Sequence, residues 1–521
     1  MTETWKKIAI ALWIIAGTIG AQVETPRLVV FISVDQLRGD FIEYFSPTLS
    51  QGGFKRLLGG GTVFADVEFD FPNLDCATAT ATLCTGANPV FHGIDACRTF
   101  DFDTEREYSI LYDADYLGNY TDNHFSPKAL ISSTFGDELK IASKGRSKVF
   151  AIAPTPEAAI LPAGHAGDAA FWIDEKNGKW ATTTFYKDIP WYVDRYNNGP
   201  EALSARLTSM VWTPRLPLDD YRAFPYLLDE LPFRHTFPPD RPESISHFKT
   251  SPFVNDEITR LSIQFLEYGA LGKETVPDIL SITYHAGLFL PQRSKEYTRE
   301  VQDLYLRLDA NLDTLLRVID KKVGLARTLV VLTGTGYFDA EEDYPETILR
   351  HYGVFYPKRC LALLNMYLMA TYGQERKWVI GYHNGQIFLD RKAIRDAGLN
   401  VSTVQKTAAD FVREFTGVQE VVTADGICED QGTHPSRRGD LILRLQPGRR
   451  LDFEQTSGWA VLPSPVIRRN EVDSPVIFFG NGISHERHSQ SIKATQIAPT
   501  ITHLLRVRPP NACSERGIQL R

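Results

Sequence analysis

Two hydrophobic rhythms alternate along the chain. Residues 27–35, RLVVFISVD, form a near-continuous apolar run that ends on an acid. A run of this kind predicts a strand buried on both faces, as in a parallel sheet. Four more runs have the same character: KVFAIAP (148–154), DILSITYH (278–285), TLVVLTGTG (328–336) and SPVIFFG (474–480). The second rhythm is helical. Its clearest stretch is 296–323, where Val301, Leu304, Leu308, Leu312 and Leu315 recur at three-to-four spacing and Gly324 supplies a stop. GGFKRLLGGG predicts a short helix ended by glycines. Strands alternating with helices predict an α/β fold, a three-layer α/β/α sandwich around a mostly parallel sheet.

Two regions break the alternation. Residues 168–250 open with a hairpin-like AAFWIDEKNGKWATTTFY, turning at Asn177 and Gly178, and continue rich in proline and aromatics. Residues 355–465 hold a second turn, HNGQ, a capped helix, STVQKTAADFVREF, and a strand, DLILRLQP. Both predict caps inserted into one α/β core. The first 21 residues differ again: Lys6 and Lys7 precede IAIALWIIA and the small residues GTIGAQ. This predicts a signal peptide cut after Ala21, its apolar run being shorter than the ~20 residues of a membrane span. The mature chain, 22–521, is therefore expected in the periplasm with no membrane span.

Composition adds exclusions. With 43% hydrophobic and 23% charged residues in 521, the chain reads as an ordinary globular protein. A formal net charge of −8 gives no electrostatic reason to expect nucleic acid or an anionic membrane as partner. Cysteines stand at 76, 84, 97, 360, 428 and 513. Export permits disulfides, but six cysteines in this length are not a disulfide scaffold.

In open α/β sheets, ligands bind beyond the carboxyl ends of the strands. Asp35, His285, Thr335 and Gly336 lie at such ends. The segment NLDCATATATLCTG follows a strand expected at 62–70, TVFADVEFD, and is predicted to open a helix at about Cys76. A thiol at a helix N-terminus can be a nucleophile, but it needs an electropositive setting, and the residue six places on is Thr82. Thr78, a nucleophile if the register slips, reads like Thr80 and Thr82 as a small residue packing a helix.

Several stretches occur in a telling order: SVDQLRGD, GGFKRLL, the threonine-rich segment with TGANPVFHGI, ILPAGH, YLRLDANLDTLL, RRGDLILRLQPG, SPVIFFGNGI, and ATQIAPTITHLL with RVRPPNA. Together they resemble the alkaline phosphatase superfamily, most closely its exported phosphate-irrepressible branch from Bacteroidetes-like bacteria, related to nucleotide pyrophosphatase/phosphodiesterases. The resemblance runs from about residue 27 to the C-terminus. It implies hydrolysis of phosphate esters by a Thr or Ser at a helix N-terminus beside two zinc ions. Paired metals stabilise the attacking and leaving oxygens, and the helix end favours the phosphate's charge.

Carried over position by position, the resemblance keeps one metal ligand, Asp35. The nucleophile position falls on Cys76 and the phosphate-holding asparagine on Cys97. Two cations just before ILPAGH become Thr155 and Glu157. The remaining metal ligands fall near Leu288, Gln292, Thr335, Gly336 and Ser464 with Pro465, none of which is His or a carboxylate. One aspartate cannot hold two zinc ions, so no cofactor is expected, although the family would use two zincs. Cys76 and Cys97 share one phosphate in the family, which implies that they are neighbours and leaves two alternatives, a disulfide between them and two buried free thiols. The functional expectation is a pseudophosphatase acting by binding a ligand or a periplasmic or outer-membrane protein partner. The alternatives are an active phosphoric ester hydrolase with a rebuilt site and a thiol enzyme using Cys76.

Other clusters read as structural. His485, Glu486 and His488 in SHERH sit in an expected surface loop rather than a metal site. DAEEDYPE, with Asp339, Glu341, Glu342 and Asp343, lacks the glycine turn and spacing of a calcium loop. His285 reads as a satisfied core histidine, and His92 and His165 as hydrogen-bonding elements of HGI and PAGH.

Overall fold

In the computed structural model, residues 24–520 are described apart from 72–73, 102–103, 105, 187–188, 223–232, 293–297, 340–352, 374, 425–433, 435–436, 447–448 and 453–471. The sheet contains, in chain order, β1 (Leu28–Asp35), β2 (Thr62–Phe64), β3 (Gly118–Asn119), β4 (Val149–Ala153), β5 (Ala169–Ile173), β6 (Trp180–Thr183), β7 (Asp278–His285), β8 (Thr328–Gly334), β9 (Val476–Gly480) and β10 (Glu486–His488). Its spatial order is β10-β2-β9-β8-β1-β7-β4-β5-β6-β3. The five central strands, β8, β1, β7, β4 and β5, run parallel.

Side-chain alternation in β1 builds both outer layers. Leu28, Val30, Ile32 and Val34 enter a core shared with α4 (Phe253–Tyr268) and α5 (Arg299–Lys322). Val29 and Phe31 enter the opposite core, with α1 (Cys76–Thr85), α2 (Phe135–Ala142) and α8 (Ile497–Leu505). Between α2 and α4 lies α3 (Pro156–Ala163), which packs against α1 and the β4 and β7 strands. Helices on both faces of a mostly parallel sheet give the three-layer sandwich that the apolar runs predict. β1 starts one residue later than its run, at Leu28, and α5 starts at Arg299 because the Thr298 hydroxyl caps it by accepting from the Val301 N–H at 3.4 Å.

Three expectations change. The strand expected at 62–70 is two: β2 pairs with β9 and β10, while Val67–Glu68 leaves the sheet to pair with Ile492–Lys493. The 168–183 hairpin is not a cap. β5 adds parallel to β4, and β6 folds back on β5, so the hairpin widens the central sheet and buries both of its strands. SHERH is not a loop, since its 486–488 stretch is the edge strand β10.

The later insertion has its own core. Val379–His383, Gln386–Leu389, Leu441–Leu445 and Val418–Thr423 form a separate antiparallel sheet in that order. Leu364 and Leu368 of α6 (Pro357–Tyr372) and Val404 and Ala408 of α7 (Val401–Arg413) cover it. Asn384 and Gly385 take φ of 46° and 73°, the left-handed pair that a two-residue hairpin needs and that Asn-Gly supplies. The insertion meets the sandwich at the 98–109 hairpin, where Phe388 stacks on Phe100 at 5.5 Å and His383 Nδ1 lies 2.7 Å from Glu107 Oε1.

Candidate functional site

The register of the parallel strands assembles one cleft edge. Asp35 lies opposite His285 on β7, and Val34 opposite Gly334 on β8, so Thr335 follows directly beside Asp35. The Thr335 hydroxyl donates to Asp35 Oδ1 at 3.2 Å, and the Tyr337 hydroxyl donates to the same oxygen at 2.8 Å. Gln36, at a left-handed φ of 61°, turns its N–H to Thr335 Oγ1 at 2.9 Å and accepts from the Asp339 N–H at 3.0 Å. His285 Nδ1 stands 4.0 Å from Asp35 Oδ2. Its backbone is fixed by Asn255, whose amide accepts from the His285 N–H at 2.8 Å and donates to the carbonyl at 2.7 Å.

The N-terminus of α1 faces this edge. Cys76 is its first residue and Asp75 its N-cap. The Asp75 carboxylate accepts from the Thr78 N–H at 2.9 Å and, through its other oxygen, from the Cys97 N–H at 2.7 Å. Thr78 Oγ1 accepts from the Asp75 N–H at 2.8 Å, which completes a capping box and commits that hydroxyl to structure. Thr80 and Thr82 are buried in α1; Thr82 Oγ1 lies 3.1 Å from His92 Nε2. The Ala77 amide N–H faces the Cys97 thiol. The orphan donors of the helix end, which would meet an anion, are thus turned toward the chain's own carboxylate and thiol.

Charge follows from this crowding. Burial raises Asp35 to about 6 against the pull of the Tyr337 and Thr335 hydroxyls. Burial raises Glu157, in the first turn of α3, to about 7, with Asp75 adding repulsion and Lys249 opposing it. Lys249 is buried and pairs with Glu175 at 2.5 Å. Burial, then the charges of Asp35, Glu157 and Asp75, pushes the Cys76 thiol up; burial, then Asp75, Glu157 and Cys76, does the same to Cys97. Both remain neutral thiols at pH 7, the opposite of an activated nucleophile.

The structure therefore brings Asp35, Cys76, Cys97, Glu157, Thr335 and Gly336 to one region. Of the two alternatives for Cys76 and Cys97, the structure has free thiols and no disulfide between them. Thr155, the N-cap of α3, makes no side-chain cap bond. Gly336 takes a φ of 74°, and a Cβ there would meet the Phe69 ring at 2.5 Å, so no larger side chain fits. Leu288 is buried in the core, and Gln292 Nε2 is spent on Glu300 Oε1 at 3.1 Å. Ser464, Pro465, Cys428 and residues 340–346 lie outside the described residues. Asp75, Tyr337, Asn255 and Lys249 were not singled out by the sequence. For Asp75 a signal existed, an acid three places before a threonine at a helix start.

The donors among the described residues do not fit a two-metal centre. Among the described residues no group of three or more His, Cys, Asp or Glu is placed to hold a metal ion. A zinc ion wants about three protein ligands, and around Asp35 the described neighbours are the Thr335 and Tyr337 hydroxyls, an imidazole 4.0 Å away and the repelling carboxylate of Asp339. SHERH brings no metal site either: His488 stacks on Phe64 at 4.7 Å, and His485 Nδ1 lies 3.2 Å from the Gly61 carbonyl oxygen. His92 Nδ1 accepts from the Ile94 N–H at 3.1 Å, and burial lowers this histidine to about 3, so it stays neutral. His165 Nε2 lies 2.9 Å from the Leu130 carbonyl oxygen.

Comparison with known proteins places this geometry. Residues 29–468 match the family described as type I phosphodiesterase / nucleotide pyrophosphatase. The chain is 27% identical to the alkaline phosphatase PafA of Elizabethkingia meningoseptica over 555 residues, covering 99% of this chain and 98% of that protein. It is 25% identical to the alkaline phosphatase PhoV of Synechococcus elongatus, covering 94% and 92%. The crystal structure of wild-type PafA superposes with a TM-score of 0.79 at 26% identity, covering 95% of this chain and 99% of that one. The chain belongs to the type I phosphodiesterase / nucleotide pyrophosphatase family, within the alkaline phosphatase superfamily.

Proposed function

We propose that this chain is an exported family member that does not turn over phosphate esters and acts by binding a ligand or a periplasmic or outer-membrane protein partner. The reading rests chiefly on one observation. The helix end that would hold a phosphate is capped by Asp75 and Cys97 and faces Asp35 and Glu157. A phosphate dianion entering there meets carboxylates where it needs cations. The Thr335 and Tyr337 hydroxyls both donate to Asp35 Oδ1 and so compete with a metal for that one oxygen. No cofactor is required on this reading, and export follows from the basic and apolar leader of residues 1–21.

A second reading, an active phosphoric ester hydrolase with a rebuilt site, draws on the family match across 29–468 and on relatives that are named alkaline phosphatases. Hydrolysis of p-nitrophenyl phosphate by the mature chain, with zinc and with chelator, separates the readings. The pseudophosphatase reading expects no turnover above that of Asp35→Ala. Zinc-dependent turnover lost in Asp35→Ala establishes the second reading. Chelator-resistant turnover lost in Cys76→Ala establishes a thiol enzyme.

A further inference from the structure

We propose that His383 is a pH-operated latch that seats the later insertion beside the cleft: charged, it holds the insertion on the 98–109 hairpin, and neutral, it releases it. The imidazole is buried at this junction, its side chain 8% exposed. Nδ1 lies 2.7 Å from Glu107 Oε1, and Nε2 lies 3.0 Å from the Arg98 carbonyl oxygen. A carbonyl oxygen only accepts, and so does an ionised carboxylate. The Glu107 carboxyl is held below the usual carboxylate range, first by the His383 hydrogen bond, and its Oε2 meets the Arg98 guanidinium at 3.4 Å. Both ring nitrogens must therefore donate. A neutral imidazole has one N–H and serves one of these partners, whereas the imidazolium serves both. Histidine is the side chain that gains or loses this second proton between about pH 5 and 8.

The latch acts next to the cleft. Arg98 follows Cys97, whose N–H is held by Asp75 at the end of α1. A second tie reaches the same segment, since Arg437 donates to the Gly93 carbonyl oxygen. The stacking of Phe388 on Phe100 does not titrate, so the insertion stays attached when the latch opens, and what loosens is its seating on residues 93–98. Among the described residues, the charged groups around His383 come from each neighbouring element. On the hairpin, besides Arg98 and Glu107, Asp101 and Arg106 stand opposite each other. Before it, burial raises Asp95 to about 6, with Arg437 and His383 pulling it down and Asp75 opposing them. Asp95 therefore works against the latch: as pH rises through about 6 it gains a charge facing Arg437. Within the insertion, Asp440 is taken by the Leu389 N–H, Arg391 and Gln405. Burial, then Arg437 and Arg438, holds His434 down, and burial pushes the Tyr382 phenol up, so both are neutral where His383 changes charge.

The test is hydrogen–deuterium exchange of the full mature chain at pH 5.5 and pH 8, read by mass spectrometry on peptides covering 98–109 and 379–389 and corrected for the pH dependence of chemical exchange. Peptides from β7, buried throughout its length, serve as the internal reference. In the wild-type chain both segments should exchange about tenfold faster at pH 8, the loss expected for one charge-assisted hydrogen bond, with β7 unchanged. His383→Gln has no proton to gain and should exchange at the fast rate at both pH values. Glu107→Gln keeps an acceptor but removes its charge, and should move the change to lower pH. Equal exchange of the wild-type segments at the two pH values overturns the proposal, as does a difference that His383→Gln or Glu107→Gln leaves intact. A difference that Asp95→Asn abolishes assigns the response to Asp95 and overturns it too. None of these outcomes depends on whether the cleft hydrolyses phosphate esters.

Discussion

The bodies of β1, β7 and β8 and the residues just past their carboxyl ends are neighbours in space but obey different constraints. Within the bodies, every side chain of Leu28–Val34 is buried, and all but Ser33, which bonds to the Thr283 hydroxyl, serve one of the two cores. Past the ends, Asp35, Thr335 and Tyr337 form a hydrogen-bonded knot that packing alone does not require. The sandwich depends on burying apolar area, which many sequences satisfy. A two-metal phosphatase centre depends on the identity of a few donors, and one replacement removes a ligand without disturbing the sheet. Fold and chemistry are thus separable layers.

Substitutions in the two regions should therefore act differently. Phe31 is fully buried and meets Phe135 edge-on at 5.4 Å. Phe31→Ala should cost about 3–5 kcal/mol in denaturant unfolding, the largest effect considered. A cost below about 1 kcal/mol would mean that the strand body is not the stabilising layer.

The strand end should show itself in pH dependence. Folded Asp35 takes up its proton near pH 6, whereas an unfolded aspartate does so near 3.8. Between those values the folded chain binds more protons, so this group's contribution is full below about pH 4 and is lost as pH rises through about 6. The loss is at most about 3 kcal/mol. Asp66 and Asp95, also raised to about 6 by burial, act in the same direction. Comparing unfolding free energies of the wild-type chain and Asp35→Asn at pH 4 and pH 7.5 isolates Asp35, and the variant should gain at the higher pH. A metal held by Asp35 would favour its ionised form and reverse this result.

Smaller effects sharpen the contrast along α1. Thr78→Ala removes half of the capping box and should cost about 1 kcal/mol. Cys76→Ala, at a half-buried position with a neutral thiol, should change thermal stability by less than about 1 kcal/mol. If Cys76→Ala destabilises more than Thr78→Ala, the thiol is a structural element and not the trace of a former nucleophile.

These regions also differed in how far they could be read from sequence. Near-continuous apolar runs located β1, β7 and β8 to within two residues, because burial on both faces leaves few polar positions. The 168–183 hairpin was misassigned because Asn177-Gly178 signals a turn but not the sheet that the hairpin joins. The region 62–70 looked continuous because its break comes from long-range pairing of Val67–Glu68 with Ile492–Lys493. At the site, the helix predicted to open at about Cys76 does so as α1, and the Cys97 thiol lies beside it. Side-chain direction was not legible: the Tyr337 hydroxyl reaches Asp35 across 302 positions of sequence, and Asp75 joins α1 to Cys97 across 22.

The most direct test is the zinc stoichiometry of the mature chain after dialysis from excess zinc, by elemental analysis, alongside Asp35→Ala. The account predicts no zinc that depends on Asp35. Two equivalents of zinc per wild-type chain, lost in Asp35→Ala, would contradict it.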